Sequence, residues 1–291
     1  MAPGRVVKLR RERKLPIPGH VLVEVGQRVQ PDSVIASAEL PGAQIPVNVA
    51  YRLSIDPEYL RRYLRKQVGD QVEAGEALAV SGGLFQLVRE AVQAPRSGVV
   101  ESIDRRTGIV IIREPSIKVQ RQAYLAGQVV EVFPPSGVII EATVQAWSGV
   151  FGVGGERSGR LLIACEQPEQ LLTADLVTPA AKGAVLLGGA GISLESLQKA
   201  SQIGVAGIIT GGIQSDVLSQ YLGYQLGVPI TGQEEVATTL IVTEGFGDTP
   251  MNPDLHAALS ACVGRMISID GTTHLRSQRL RPEVLIPVDA V

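Results

Sequence analysis

Two glycine-rich turns carry the residue types best suited to meeting a ligand. The first is "LLGGAGIS", where Gly188, Gly189 and Gly191 precede a helix start at Ser193. The second is "IITGG", where Thr210, Gly211 and Gly212 precede another helix start at Ser215. Free N–H groups and the positive end of a helix dipole suit a phosphate or a carboxylate. Neither turn has the spacing of a dinucleotide fingerprint or of a P-loop. Close packing of glycine where a strand meets a helix gives the same pattern. Glu244 follows the apolar run "TTLIVT" and precedes Gly-Phe-Gly. A carboxylate at the carboxyl end of a parallel strand stands where α/β proteins place active groups. It equally serves to bind the turn's own amides. These eight residues form a candidate anion- or ligand-binding set.

Other chemistry finds less support. His20, His256 and His274 are dispersed and have no metal-ligand spacing. Cys165 and Cys262 form no Cys-x-x-Cys pair, and no Gly-x-Ser-x-Gly elbow occurs. No catalytic residue and no metal are assigned. The five glycines in "WSGVFGVGGERSG" suit either a backbone approached by a ligand or a bulged loop.

The elements that must hold these residues follow from periodicity and punctuation. After Thr173 the chain alternates short apolar strands with helices, the signature of a parallel sheet. "SLESLQKASQIG" reads as a helix capped by Ser193 and ended by Gly204. "SDVLSQYLG" follows with Ser215 as its cap, and "NPDLHAALSACVG" with Asn252 as cap and Pro253 in the first turn. "RMISIDGTTHLR" reads as a hairpin turning at Asp270-Gly271, and "RPEVLIPV" as a last strand. Upstream, from Pro16 to Arg113, the segments are mostly short strands. One helix is expected in "DPEYLRRYLRK", with Asp56 as cap. "GQVVEVFPPSGVIIEA" alternates about a turn at Pro134-Pro135-Ser136-Gly137.

An internal echo marks the N-terminal region. "VGQRVQPDSVIAS" matches "VGDQVEAGEALAV" 43 residues later, pairing Gly26 with Gly69, Val29 with Val72 and Ala36 with Ala79. Gly69-Asp70-x-Val72-x-x-Gly75-x-x-Leu78, followed by Ala94-Pro95-x-x-Gly98-x-Val100, resembles the biotinyl/lipoyl family of barrel-sandwich hybrid domains over residues 15–115. In that family the modified lysine stands about ten residues past the second glycine. Here Phe85 holds that place, Gly42 holds it in the first repeat, and no lysine lies between Lys66 and Lys118. Attachment of biotin or lipoate is therefore argued against, and no cofactor is expected. Lysine-free versions of the fold, such as the domain near the start of the electron-transfer subunit RnfC, serve as docking elements. By that resemblance Phe85 is a candidate interaction surface.

The expected fold class is α+β and multi-domain. Residues 1–115 form a barrel-sandwich hybrid and 116–172 a β-rich connecting segment. Residues 173–250 form an α/β module with a short parallel sheet, and 251–291 a helix with a small β element. The 291 residues carry 45% hydrophobic and 19% charged side chains and a net charge of -2, which describes a folded chain without overall polyelectrolyte character. Two isolated cysteines and the lack of a long apolar run suit a cytoplasmic protein without a membrane span. Six basic residues in 1–14 and the cluster Arg276, Arg279 and Arg281 offer a contact for nucleic acid or a solvated edge.

Three functions remain open at this level. The first is a non-enzymatic adaptor or scaffold subunit docking a protein partner or a second copy of itself. The second is an enzyme or binder of a phosphate-bearing small ligand. The third is a nucleic-acid-associated factor.

Overall fold

The computed structural model describes residues 4–81, 90–224, 236–273 and 281–288. It has a mixed α/β architecture with several sheets and helices. The chain divides into two compact units, one of residues 1–16, 20–36 and 121–291 and one of residues 17–19 and 37–120.

The larger unit is built on an eleven-stranded sheet. Four parallel strands follow one another in chain order: Glu156–Ile163, Val185–Leu187, Gly207–Ile213 and Thr239–Phe246. The last three are buried residue after residue over Val185–Leu187, Gly207–Ile213 and the start of Thr239–Phe246, as strands covered on both faces must be. Leu186, Ile208, Leu240 and Val242 face one way, onto Leu197 and Ala200 of helix Leu194–Ile203 and Leu218 of helix Ser215–Leu222. Leu187, Ile209 and Ile241 face the other way, onto Leu255 and Leu259 of helix Pro253–Ser260. Strand Glu156–Ile163 joins two sheet types. Its second half pairs in parallel with Val185–Leu187, and its first half pairs antiparallel with Met266–Asp270. Beyond these lie Glu283–Pro287 and the long strand Gly137–Ser148, whose residues 137–146 pair with the whole of the N-terminal strand Arg5–Lys14.

The caps follow the local sequence. Ser193 accepts from the Ser196 N–H, and Gly204 closes that helix at φ 84°. Asn252 accepts from the N–H groups of Asp254 and Leu255. At the middle helix the cap is Gln214, with no side-chain bond, and Ser215 is already helical. The turn at Pro134 to Gly137 joins Gly127–Phe133 to Gly137–Ser148 as a hairpin.

Two expected elements change under tertiary contacts. "DPEYLRRYLRK" makes only a 3₁₀ turn, Pro57–Tyr59, and one helical turn, Leu60–Tyr63. Asp56 does cap it, but Leu64 turns extended, and the Arg65 N–H donates to the Leu78 carbonyl. Pairing with the neighbouring strand outweighs helix propensity here. Asp270-Gly271 is not a two-residue hairpin turn, because Asp270 pairs with Glu283. The Asp270 carboxylate instead binds the Thr272 N–H, and a side chain at Gly271 would meet the Val153 carbonyl.

The smaller unit has a four-stranded sheet in the order Gln44–Asn48, Ile109–Arg113, Gly98–Asp104, Gln71–Val72, and a separate hairpin, Ala77–Val80 with Ala91–Gln93. Val47, Leu53, Leu60, Leu78, Val100 and Ile112 centre its core.

The echo at 43 residues is a repeat of structure, one copy in each unit. Gly26 and Gly69 both have left-handed φ, 90° and 94°. The Gly26 N–H donates to Val129 O and the Val129 N–H to Gln27 O; in the second copy Gly69 donates to Val100 O and Val100 to Asp70 O. Gln27 and Asp70 each accept, through the side chain, from the N–H three residues back. Ser33 and Glu76 do the same. The partner segments match as well. Ala-x-x-x-Gly-x-Val occurs at 94–100 and again at 123–129, and Gly98 and Gly127 pair with Val72 and Val29.

Candidate functional site

The eight sequence-predicted ligand residues gather at the carboxyl ends of the parallel strands. The Gly211 N–H donates to Gly189 O at 2.7 Å and the Gly212 N–H to Ala190 O at 2.8 Å. Residues 247–251 cross over this end. A Cβ on Gly211 would collide with Thr249 O, one on Gly212 with Gly247 O, and one on Gly189 with Gln170 O. Gly188 packs on Ile209 O, and Gly191 on the Asp248 carboxylate. The polar groups are engaged within the chain. Ser193 Oγ lies 2.7 Å from Ser196 Oγ, Thr210 Oγ1 donates to Gly212 O at 3.3 Å, and Glu244 accepts from the Asn252 N–H at 3.2 Å. His256 donates from Nε2 to the Cys165 carbonyl. Burial pushes the Cys165 thiol up to about 11, against a smaller downward pull from Gly189, so it stays protonated at neutral pH. Among the described residues no three His, Cys, Asp or Glu side chains group as metal ligands.

The basic N-terminal segment is part of the sheet. Lys8 and Arg10 pair with Glu141, Arg11 with Glu283, Arg13 with Glu156 and Lys14 with Glu12. Arg13 is the buried member, 4% exposed. It binds Glu156 through both terminal nitrogens at 2.6 and 2.7 Å, donates Nε to Gln122 O, and lies 5.3 Å from the centre of the Tyr124 ring. Tyr124 has φ 67°, a strained value outside glycine, and its hydroxyl donates to Glu283 at 3.1 Å. Burial, reinforced by the neighbouring carboxylates, raises the Tyr124 hydroxyl well above its ordinary value. Burial also pushes the Glu283 carboxyl up, and Arg11 and Tyr124 offset only part of this. Burial pushes Glu156 up too, but Arg13, with Arg121 and Arg11 behind it, outweighs this and holds the carboxyl below its ordinary value.

A groove of about 1120 Å³ opens within the smaller unit, lined by segments 39–42, 71–76, 97–99 and 113–116 and by Lys66. Its floor is main chain: a Cβ on Gly42 would collide with the Glu114 carbonyl, and one on Gly98 with the Arg113 carbonyl. Gly42 therefore has no room for a side chain. Both lining cations are engaged. Lys66 binds Glu76 at 2.5 Å and the Gln71 carbonyl at 2.9 Å; Arg113 binds Glu101 and the Gly42 carbonyl. Glu114 has Arg96 at 3.5 Å. Glu39 and Glu73 have no cation within 4 Å among the described residues. The groove is thus walled by carboxylates, with Pro41 and Pro115 on its rim.

The Lys66 ammonium covers the Gln71 carbonyl, and Pro46 interrupts the outer strand Gln44–Asn48, so both sheet edges are blunted against strand addition. Phe85 lies outside the described residues, as do His274, Arg276 and Arg279. Sequence reasoning missed the groove and the buried ion cluster. The second Ala-x-x-x-Gly-x-Val run, which places Tyr124, was the available signal for the latter. Among the described residues no helix is long and apolar enough to cross a membrane. Comparison with family models, with curated proteins and with solved structures gives no match.

Proposed function

We propose that this chain is a docking subunit whose smaller unit, a relative of the biotinyl/lipoyl-type carrier domain without the modified lysine, holds an extended basic segment of a partner protein. The groove carries this reading. Its volume of about 1120 Å³ exceeds the roughly 300–1,000 Å³ usual for small-molecule pockets. Its own cations are neutralised, while Glu39 and Glu73 are left to meet positive charge. Such complementarity sets partner choice and association rate more than raw affinity. The filled glycine turns at the strand ends favour docking over small-ligand chemistry. Selection of displayed peptides on the full chain tests it. Enriched sequences rich in Lys and Arg, lost on a Glu39→Lys/Glu73→Lys variant, are expected. Enrichment of acidic or purely apolar sequences, or equal binding to the variant, overturns the reading.

A further inference from the structure

The chain has a net charge of -2, yet one part of the smaller unit is locally basic and carries bare aromatic rings. Segment 49–63 holds Arg52, Arg61 and Arg62, and the turn at 104–108 adds Arg105 and Arg106. The two segments are fixed to each other. The N–H groups of Val49 and Ala50 donate to the Gly108 carbonyl, Asn48 pairs with Ile109, and Gly108 packs so closely on Ala50 that a Cβ would collide with it. None of these five arginines has a carboxylate within 4 Å among the described residues, unlike the cations of the N-terminal strand. Two of the three nearby acids are bound within their own turns. Asp104 accepts from the Arg106 N–H and the Thr107 hydroxyl, and Asp56 from the Glu58 N–H.

Tyr51 stands beside Arg52 and is 81% exposed, the highest value among the large apolar side chains described. Tyr59 is 49% exposed, with the Arg62 guanidinium 5.1 Å from its ring centre. A tyrosine ring with so little cover buries little surface in the fold. Buried Leu53 and Leu60 anchor the segment that presents both rings.

We propose that Tyr51, Arg52, Arg105 and Arg106 form a binding face for single-stranded nucleic acid, with Tyr59 and Arg62 extending it. The arginines meet phosphates, and the rings stack on bases without regard to sequence. An acidic peptide offers charge for the arginines but no base beside each charge for the rings to stack on.

The test is fluorescence anisotropy of the full chain with a labelled oligo-dT of about 16 nucleotides. Three phosphate contacts on a single strand predict a log–log salt slope of about -2, a loss of roughly 20-fold between 50 and 200 mM salt. Tyr51→Ala weakens binding about five-fold or more, while Tyr51→Phe keeps it. Arg105→Ala/Arg106→Ala flattens the salt slope. The thermal melts of all variants stay at the wild-type value, because the side chains are exposed. Absence of binding at 50 mM salt, wild-type affinity in Tyr51→Ala, or competition by polyglutamate as strong as by unlabelled oligo-dT would each overturn the proposal.

Discussion

Arg13→Met is the perturbation that best separates a basic arm held in the fold from one offered to a polyanion. Arg13 is 4% exposed and makes both of its terminal bonds to Glu156. Removing one partner of a buried pair costs about 3–5 kcal/mol, because the other charge is left behind. The Glu156 side chain is 32% exposed. Water therefore takes up part of its charge, and the expected loss is about 2–3 kcal/mol. The single tryptophan, Trp147, lies in the core of the same unit, so urea denaturation followed by its fluorescence reads this unit. The double variant Arg13→Met/Glu156→Met should recover most of the loss, since neither charge is then stranded.

The pH dependence has a definite sign. The native Glu156 carboxyl is held below its ordinary value, so its contribution is full above the ordinary carboxylate range and fades as pH falls through the native value. The gap between wild type and Arg13→Met should narrow on acidification below about pH 4.5. A loss under about 1 kcal/mol at pH 7 would refute the reasoning, because that is what a solvated ion pair gives.

Three further outcomes follow from named contacts. Gly42→Ala drives a methyl into the Glu114 main chain and should cost about 1–3 kcal/mol, seen as faster amide exchange across residues 98–113. Glu283→Gln should leave stability within about 1 kcal/mol of wild type at pH 7, since the lost Arg11 pair is offset by the relieved burial of a charge. The native Glu283 value is raised, so its favourable term is present at low pH and lost as pH rises; wild type should gain on the variant as pH falls, in denaturation curves taken at several pH values. Gly212→Ala should lower the melting temperature, because its Cβ meets the Gly247 carbonyl; an unchanged melt would mean the strand ends are open enough to take a ligand.

The parts of this fold set by local chemistry were legible in the sequence. Ser193, Asn252 and Asp56 cap through bonds reaching only two or three residues ahead, and the glycine turns at 26 and 69 need only a left-handed φ. What local signals miss is set by distant partners. Leu64 leaves its helix because residues 78–79 are waiting for it. Asp270 forgoes a tight turn because its strand partner is Glu283. The basic N-terminal run reads as an arm until Glu141, Glu156 and Glu283 are seen opposite it. The strand-end glycines illustrate the same limit. Their spacing admits a ligand or a close backbone, and residues 247–251, nearly 40 residues further along the chain than Gly212, supply the backbone.

The central claim, that the groove docks an extended basic segment, is tested most directly by hydrogen exchange of the full chain with and without a selected basic peptide. The account predicts slowed exchange at Gln71 to Glu73, Val99 and Arg113 to Ser116, and its absence in the Glu39→Lys/Glu73→Lys variant. Protection confined to the strand ends around Gly189 and Gly212, or none on saturation with peptide, would contradict it.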